Sequence, residues 1–107
     1  MFVPSRDYNQ TSILYHNNQD GTLTSVTAGS VVTDLGTSIS GTWGDYDNDG
    51  DLDLFVANSE NSSNRLYSNN GDGTFTSVLS GNIITEGVYS HSAAWADYNK
   101  DGNLDIV

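Results

Sequence analysis

The chain has 107 residues, with 14 acidic side chains against 3 basic ones, a formal net charge of −11 and no cysteine. That balance opposes nucleic acid and insertion into anionic membrane, both of which want Lys and Arg. The missing cysteine leaves the redox compartment undetermined, and there is neither a secretory h-region nor an apolar run of membrane-spanning length.

In chain order, Met1–Val3 is a short apolar segment of strand composition, and Leu14–Val26 (LYHNNQDGTLTSV) reads as two short strands around an Asn/Asp/Gly hairpin turn. The stretch Ala28–Thr37 connects these to a strand near Ser38–Tyr46, where Gly and Thr alternate around Trp43. An aspartate-rich loop, Asp45–Asp53 (DYDNDGDLD), leads into a strand over Leu52–Ala57. The polar run Asn58–Asn64 connects onward. A strand at Arg65–Ser68, a turn at Asn69–Gly73 (NNGDG) and a strand at Thr74–Leu79 follow. After the connection Ser80–Gly87 come a strand near Ser90–Tyr98 and a second loop, Asp97–Asp105 (DYNKDGNLD). No window carries a helical period or a helix-length apolar run, so the expected fold is all-β.

Most of these pieces occur twice at one offset. Leu14–Val26 returns as Leu66–Val78, Trp43 as Trp95, Asp45 as Asp97 and Gly50 as Gly102, each 52 residues on. Labelling the strands of one repeat A to D, with the loop between A and B, the chain reads C-D-A-B-C-D-A-B. It divides into residues 1–37 (C, D and a connection), 38–79 (a complete unit) and 80–107 (a connection, A and B). On this offset Met1–Val3 stand in register with Asp53–Phe55 and with Asp105–Val107.

Each loop places oxygen-bearing side chains at positions one, three, five and nine, with Gly at position six. Ca²⁺ takes six to eight oxygen ligands, and the Gly allows the turn that wraps them. Without an ion, Asp45, Asp47, Asp49, Asp51 and Asp53 would repel one another at close range. An EF-hand is excluded, because its position twelve needs a bidentate Glu and this chain has Val56 within a strand.

WGDYDNDGDLDLFVAN (Trp43–Asn58) followed by NRLYSNNGDGTFTSV (Asn64–Val78) resembles the FG-GAP/VCBS-type repeat of integrin-α-like propellers. The resemblance implies four-stranded antiparallel propeller blades, about two per chain. It also implies Ca²⁺ bound by side chains at positions one, three, five and nine and a backbone carbonyl at position seven. Carried over, the ligands are Asp45, Asp47, Asp49 and Asp53 with the Asp51 carbonyl, then Asp97, Asn99, Asp101 and Asp105 with the Asn103 carbonyl. One Ca²⁺ is expected per loop, weaker in the second, where Asn99 is neutral and Lys100 adds positive charge. Two ions would bring the net charge from −11 to −7.

Closed propellers need at least four blades, so completion by a homo-oligomer is expected. Joining A–B of one chain to C–D of the next is a head-to-tail contact, which closes as a trimer of six blades or a tetramer of eight. The alternative is a piece of a longer propeller.

The other residues are read more plainly. Trp43 and Trp95 are expected between blades, and Tyr15, Tyr67, Phe75 and Leu23 in hairpin packing. Both NNxDG segments are expected to be turns rather than further cation sites. His16 and His91 occupy non-equivalent places and read as surface or strand residues. Asn9 and Asn61 begin glycosylation-type triplets common by chance in such a chain. No nucleophile elbow, zinc motif or phosphate loop appears. Asp7, Asp34, Glu60 and Glu86 look scattered and unpaired, so catalysis is not expected.

The functional expectation is a non-catalytic, calcium-stabilised adhesion or recognition module for carbohydrate or protein. Ligand contacts are expected at the connections Ala28–Thr37 and Ser80–Gly87, which look long and unlike each other. The alternatives are a purely structural self-assembling fragment and an accessory piece of a larger secreted enzyme. Calcium of low affinity favours the extracellular or periplasmic side.

Overall fold

The computed structural model describes residues 1–7, 10–59, 62–85 and 89–107. Glu60 and Glu86, and the triplet asparagines Asn9 and Asn61, lie outside them, as does the end of the second connection. Among the described residues, ten short strands and two single helical turns form an all-β arrangement of three sheets. Among the described residues no helix is long and apolar enough to cross a membrane.

The central sheet holds β2 (Gln10–Thr11), β5 (Leu35–Gly44), β6 (Asp53–Ser59), β7 (Arg65–Asn69) and β8 (Phe75–Val78), side by side in that order. From β5 to β8 this is the A-B-C-D order of one repeat, antiparallel throughout. All seven residues of β6 are buried. With a side-chain period of two, Leu54 and Val56 feed one apolar cluster and Phe55 and Ala57 another. A strand buried on both faces is a continuous apolar run, which is how DLFVA reads.

The first cluster joins Leu54, Val56 and Tyr67 to Leu14 and Val31, with Phe2, Trp43 and Phe75 packed against it. Its far wall is the sheet β1 (Phe2–Val3), β3 (Ile13–Asn17) and β4 (Leu23–Ser25), the B-C-D part of the preceding repeat. The second cluster joins Phe55, Ala57 and Leu66 to Ala93, Trp95 and Ile106. It lies against β9 (Trp95–Ala96) and β10 (Asp105–Ile106), the A-B part of the following repeat. Both tryptophans thus sit between successive repeats.

Four expectations change. Met1–Val3 do not align with Asp53–Phe55. Phe2 pairs with Leu14 as Phe55 pairs with Leu66, so the offset in β1 is one residue greater than in β3. The β1–β3 connection carries an extra residue, and a one-residue slip turns every side chain over. Only this register points Phe2 toward the central sheet.

Over the described residues the two connections begin alike rather than unlike. α1 (Ser30–Thr33) and α2 (Asn82–Thr85) are single turns at equivalent places. Gly29 (φ 96°) and Gly81 (φ 111°) precede them. The carbonyl of each glycine accepts a hydrogen bond from the third residue after it, Val32 at 3.1 Å and Ile84 at 3.2 Å. Four residues are too few to show a helical period, which is why an all-β reading passes over them.

Leu23 is not a packing residue. It is half exposed on the outer face of the first sheet, whereas its equivalent Phe75 packs on Trp43, 6.1 Å between ring centroids.

Strand A of the last repeat is shorter than expected, because a ladder lasts only as long as its partner. Beside the seven residues of β6, β5 runs for ten; beside the two of β10, β9 has two.

Candidate metal centre

The first aspartate loop leaves β5 at Gly44 and enters β6 at Asp53. Its first carboxylate organises it: Asp45 Oδ1 accepts the Asp49 N–H at 3.0 Å, and Oδ2 accepts the Gly50 N–H at 3.0 Å. Asp47 Oδ1 accepts the Asp49 N–H at 3.3 Å, and Asp49 Oδ1 accepts the Asp51 N–H at 2.9 Å. Asn48 (φ 60°) and Gly50 (φ 94°) occupy the left-handed region, which lets the chain curl around these carboxylates.

One oxygen from each of Asp45, Asp47 and Asp49 comes within 4.8 Å of the others. Three formal negative charges so close repel strongly, and a divalent cation reverses the sign of that interaction. Oxygen donors on a glycine-bent loop suit a hard cation of Ca²⁺ type.

Asp53 is placed differently. It is fully buried at the floor of the loop, where Oδ2 accepts the Tyr46 N–H at 3.1 Å and Oδ1 accepts the Asn69 N–H at 2.8 Å. It therefore ties together the loop, β6 and the end of β7. Burial pushes its carboxyl above the usual range, against the lowering effect of those two N–H groups. The Asp51 carboxylate lies beside Gly71 of the neighbouring turn, where a Cβ would stand 2.7 Å from Oδ2.

The second loop repeats the network nearly bond for bond. Asp97 accepts from the N–H groups of Asp101 (3.0 Å) and Gly102 (2.9 Å). Asn99 Oδ1 accepts from Asp101 N (2.9 Å), Asp101 Oδ1 from Asn103 N (2.9 Å), and Asp105 Oδ2 from Tyr98 N (3.3 Å). Lys100 (φ 62°) stands where Asn48 does. The donor set is poorer, because the Asn99 and Asn103 amides both turn their N–H groups on the Asp101 carboxylate, at 3.1 Å each. The N–H of Asn103, followed by burial working the other way and by those two amides, leaves Asp101 below the usual carboxylate range. The two loops touch, Asn48 Nδ2 donating to Asn103 Oδ1 at 2.8 Å.

The two NNxDG segments are matched turns. Asp20 accepts the Thr22 N–H at 2.9 Å and Asp72 the Thr74 N–H at 3.0 Å, with the threonine hydroxyls on the same oxygens. Both histidines are exposed. Asp34 is not unpaired: the Tyr67 hydroxyl donates to it at 2.9 Å, and the Arg65 guanidinium stands 3.3 Å away. These partners lie more than thirty residues along the chain, and no sequence signal links them.

Comparison with known proteins agrees with the repeat. The profile of a family described as FG-GAP-like repeat matches residues 2–56 and again 45–107. Cartilage acidic protein 1 of Xenopus tropicalis is 46% identical over 57 residues, and that of Homo sapiens 41% over 56. Each match covers 51% of this chain and 8% of the relative's length. No solved structure matches.

Proposed function

Because this chain belongs to the FG-GAP-like repeat family, we propose that it is a calcium-stabilised β-propeller module for adhesion or recognition outside the cell, non-catalytic, with carbohydrate or protein as its ligand. The observation that carries this reading is the gathering of Asp45, Asp47 and Asp49 on a loop whose backbone already holds them. Asp45, Asp47 and Asp49 would hold the first ion with Asp53 and the Asp51 carbonyl. Asp97, Asn99, Asp101, Asp105 and the Asn103 carbonyl would hold the second. The ion supplies no chemical step. Its role is to cancel the repulsion within the loop and so stabilise the folded A–B turn by mass action.

An extracellular setting suits calcium sites of modest affinity. The relatives' names also point to cartilage, a tissue built largely of extracellular matrix. Their far greater length favours a second reading, in which this repeat pair is an accessory piece of a larger secreted protein.

The test is calorimetric titration of chelator-treated protein with Ca²⁺. The expected result is two sites per chain, the first tighter, with Mg²⁺ unable to replace Ca²⁺. No heat at millimolar Ca²⁺ would remove the calcium reading. A glycan array, run with Ca²⁺ and with chelator, then separates carbohydrate recognition from a purely structural role.

A further inference from the structure

Residues that hold the fold recur 52 positions apart, so side chains that break the repeat and still gather in one place stand out. Arg65 has Ile13 as its equivalent, and Leu79 has Thr27. Both line a pocket of about 180 Å³ where β7 begins and β8 ends, with Asp34 and Tyr67 on one side and Ile84 and Thr85 of α2 on the other. The pocket lies at the end of the central sheet away from the first aspartate loop, which β7 reaches only at Asn69. Its described lining comes from the complete repeat and the connections on either side of it.

The fold uses only part of the polar wall. The Arg65 guanidinium donates to Asp34 Oδ2 at 3.3 Å and to the Leu35 carbonyl at 3.0 Å, which engages two of its five N–H groups. The Tyr67 hydroxyl donates to the same Oδ2, so among the described residues Asp34 Oδ1 accepts nothing. Unused donors and an unused acceptor therefore stand side by side, on side chains 39% and 29% exposed. Their charges cancel locally. An anion would meet Asp34 and the field of a chain of net charge −11, and a cation would meet Arg65. A neutral group that donates and accepts at adjacent positions fits, as two neighbouring hydroxyls do. The remaining wall is apolar: Leu66 and Val78 form it, and Leu79, 85% exposed, stands at its rim.

From this we infer that the pocket binds one uncharged sugar residue, such as the end of a glycan chain. Two neighbouring hydroxyls of the ring bond to Asp34 Oδ1 and the Arg65 guanidinium, and its C–H face lies on Leu79, where burial of apolar surface adds to the hydrogen bonds. The volume is below the roughly 300–1,000 Å³ of pockets for drug-sized ligands, so it holds a single ring. The inference rests on the recognition reading and gives its carbohydrate a site. Because the site is remote from the loops, calcium supports it through the fold and does not touch the sugar.

The test is amide NMR of the full chain in millimolar Ca²⁺, titrated with the methyl glycosides of glucose, galactose, mannose, fucose and N-acetylglucosamine in turn. At least one is expected to shift the Arg65, Leu79 and Thr85 signals and leave those of the loops unmoved. Its dissociation constant should be on the order of 1 mM, as ligand efficiency gives for about a dozen non-hydrogen atoms. Arg65→Gln should weaken it about tenfold or more, as for a lost hydrogen bond to a charged group. Leu79→Ser should weaken it about fourfold or more, as for at least one buried methylene. Leu79 is exposed, so that variant should keep the wild-type spectrum elsewhere. If no glycoside moves these signals at about 50 mM, well above that constant, the inference is overturned. Shifts confined to another surface, or binding unchanged in both variants, overturn it too. A protein that takes up Ca²⁺ and binds none of the sugars would remove the pocket and leave the calcium reading standing. Sugar bound here by a protein that takes up no Ca²⁺ would do the reverse.

Discussion

The two loops owe their shape to single side chains in repeated places. Asp45 and Asp97 each accept two backbone N–H groups, and Asp47 and Asn99 fill the third position. Replacing Asp47 with Asn makes the first donor set like the second. Asp47→Asn is therefore expected to bring the first calcium affinity down to that of the second, read as a merging of the two calorimetric phases. Asp53 carries a pH signature in the calcium-free protein. Its folded-state pKa is raised by burial, so its contribution is most favourable below the unfolded value and is lost as pH rises through the folded one. Relative to Asp53→Asn, the wild type should therefore gain stability on acidification, measured by urea unfolding in chelator. If the difference grows toward neutral pH instead, the buried carboxylate is not the cause. At Gly41 a Cβ would stand 2.5 Å from the Phe2 ring. Gly41→Val should cost about 1–3 kcal/mol by overpacking the seam between the first two sheets, as read from the urea midpoint.

At the scale of elements, the matched hairpin turns show what the repeat preserves. Side-chain and backbone hydrogen bonds from Thr22 and Thr74 hold Asp20 and Asp72 below the usual carboxylate range. A lowered pKa contributes stability above the unfolded value of 3.8, and that contribution disappears as pH falls through the folded one. Asp72→Asn should therefore be less stable than wild type at pH 7 and approach it near pH 2, in thermal melts at both values. These turns, the loops and the strands beside them were legible because each is closed by hydrogen bonds over a few residues. The helical turns after Gly29 and Gly81 are as local, and the signal was present as G-x-(V/I)-(V/I)-T. It is too short to carry a period, and only the repeat makes it visible.

At the scale of the whole molecule, stability depends on contacts between repeats. The central sheet is the only one, among the described residues, covered on both faces by another sheet. Calcium at about a hundred times its dissociation constant adds about 2.7 kcal/mol by mass action. For a chain of this size that is a rise in melting temperature on the order of 10 °C, reversed by chelator. A melt that does not move between Ca²⁺ and chelator would show that the loops are not what holds the repeats together.

The sequence by itself determined the repeat, its period of 52 residues, the strand character of its pieces and the loops with their carboxylates. All of these are written in side-chain alternation and in short-range hydrogen bonding. Tertiary structure decided the register of β1, where the connection to β3 is one residue longer than its counterpart and so turns Phe2 inward. It also decided the pairing of Asp34 with Tyr67 and Arg65, and the stacking of Tyr46 on Trp95 of the next repeat. Those outcomes depend on which faces meet across separate sheets, and a local pattern of residues carries no record of its distant partners.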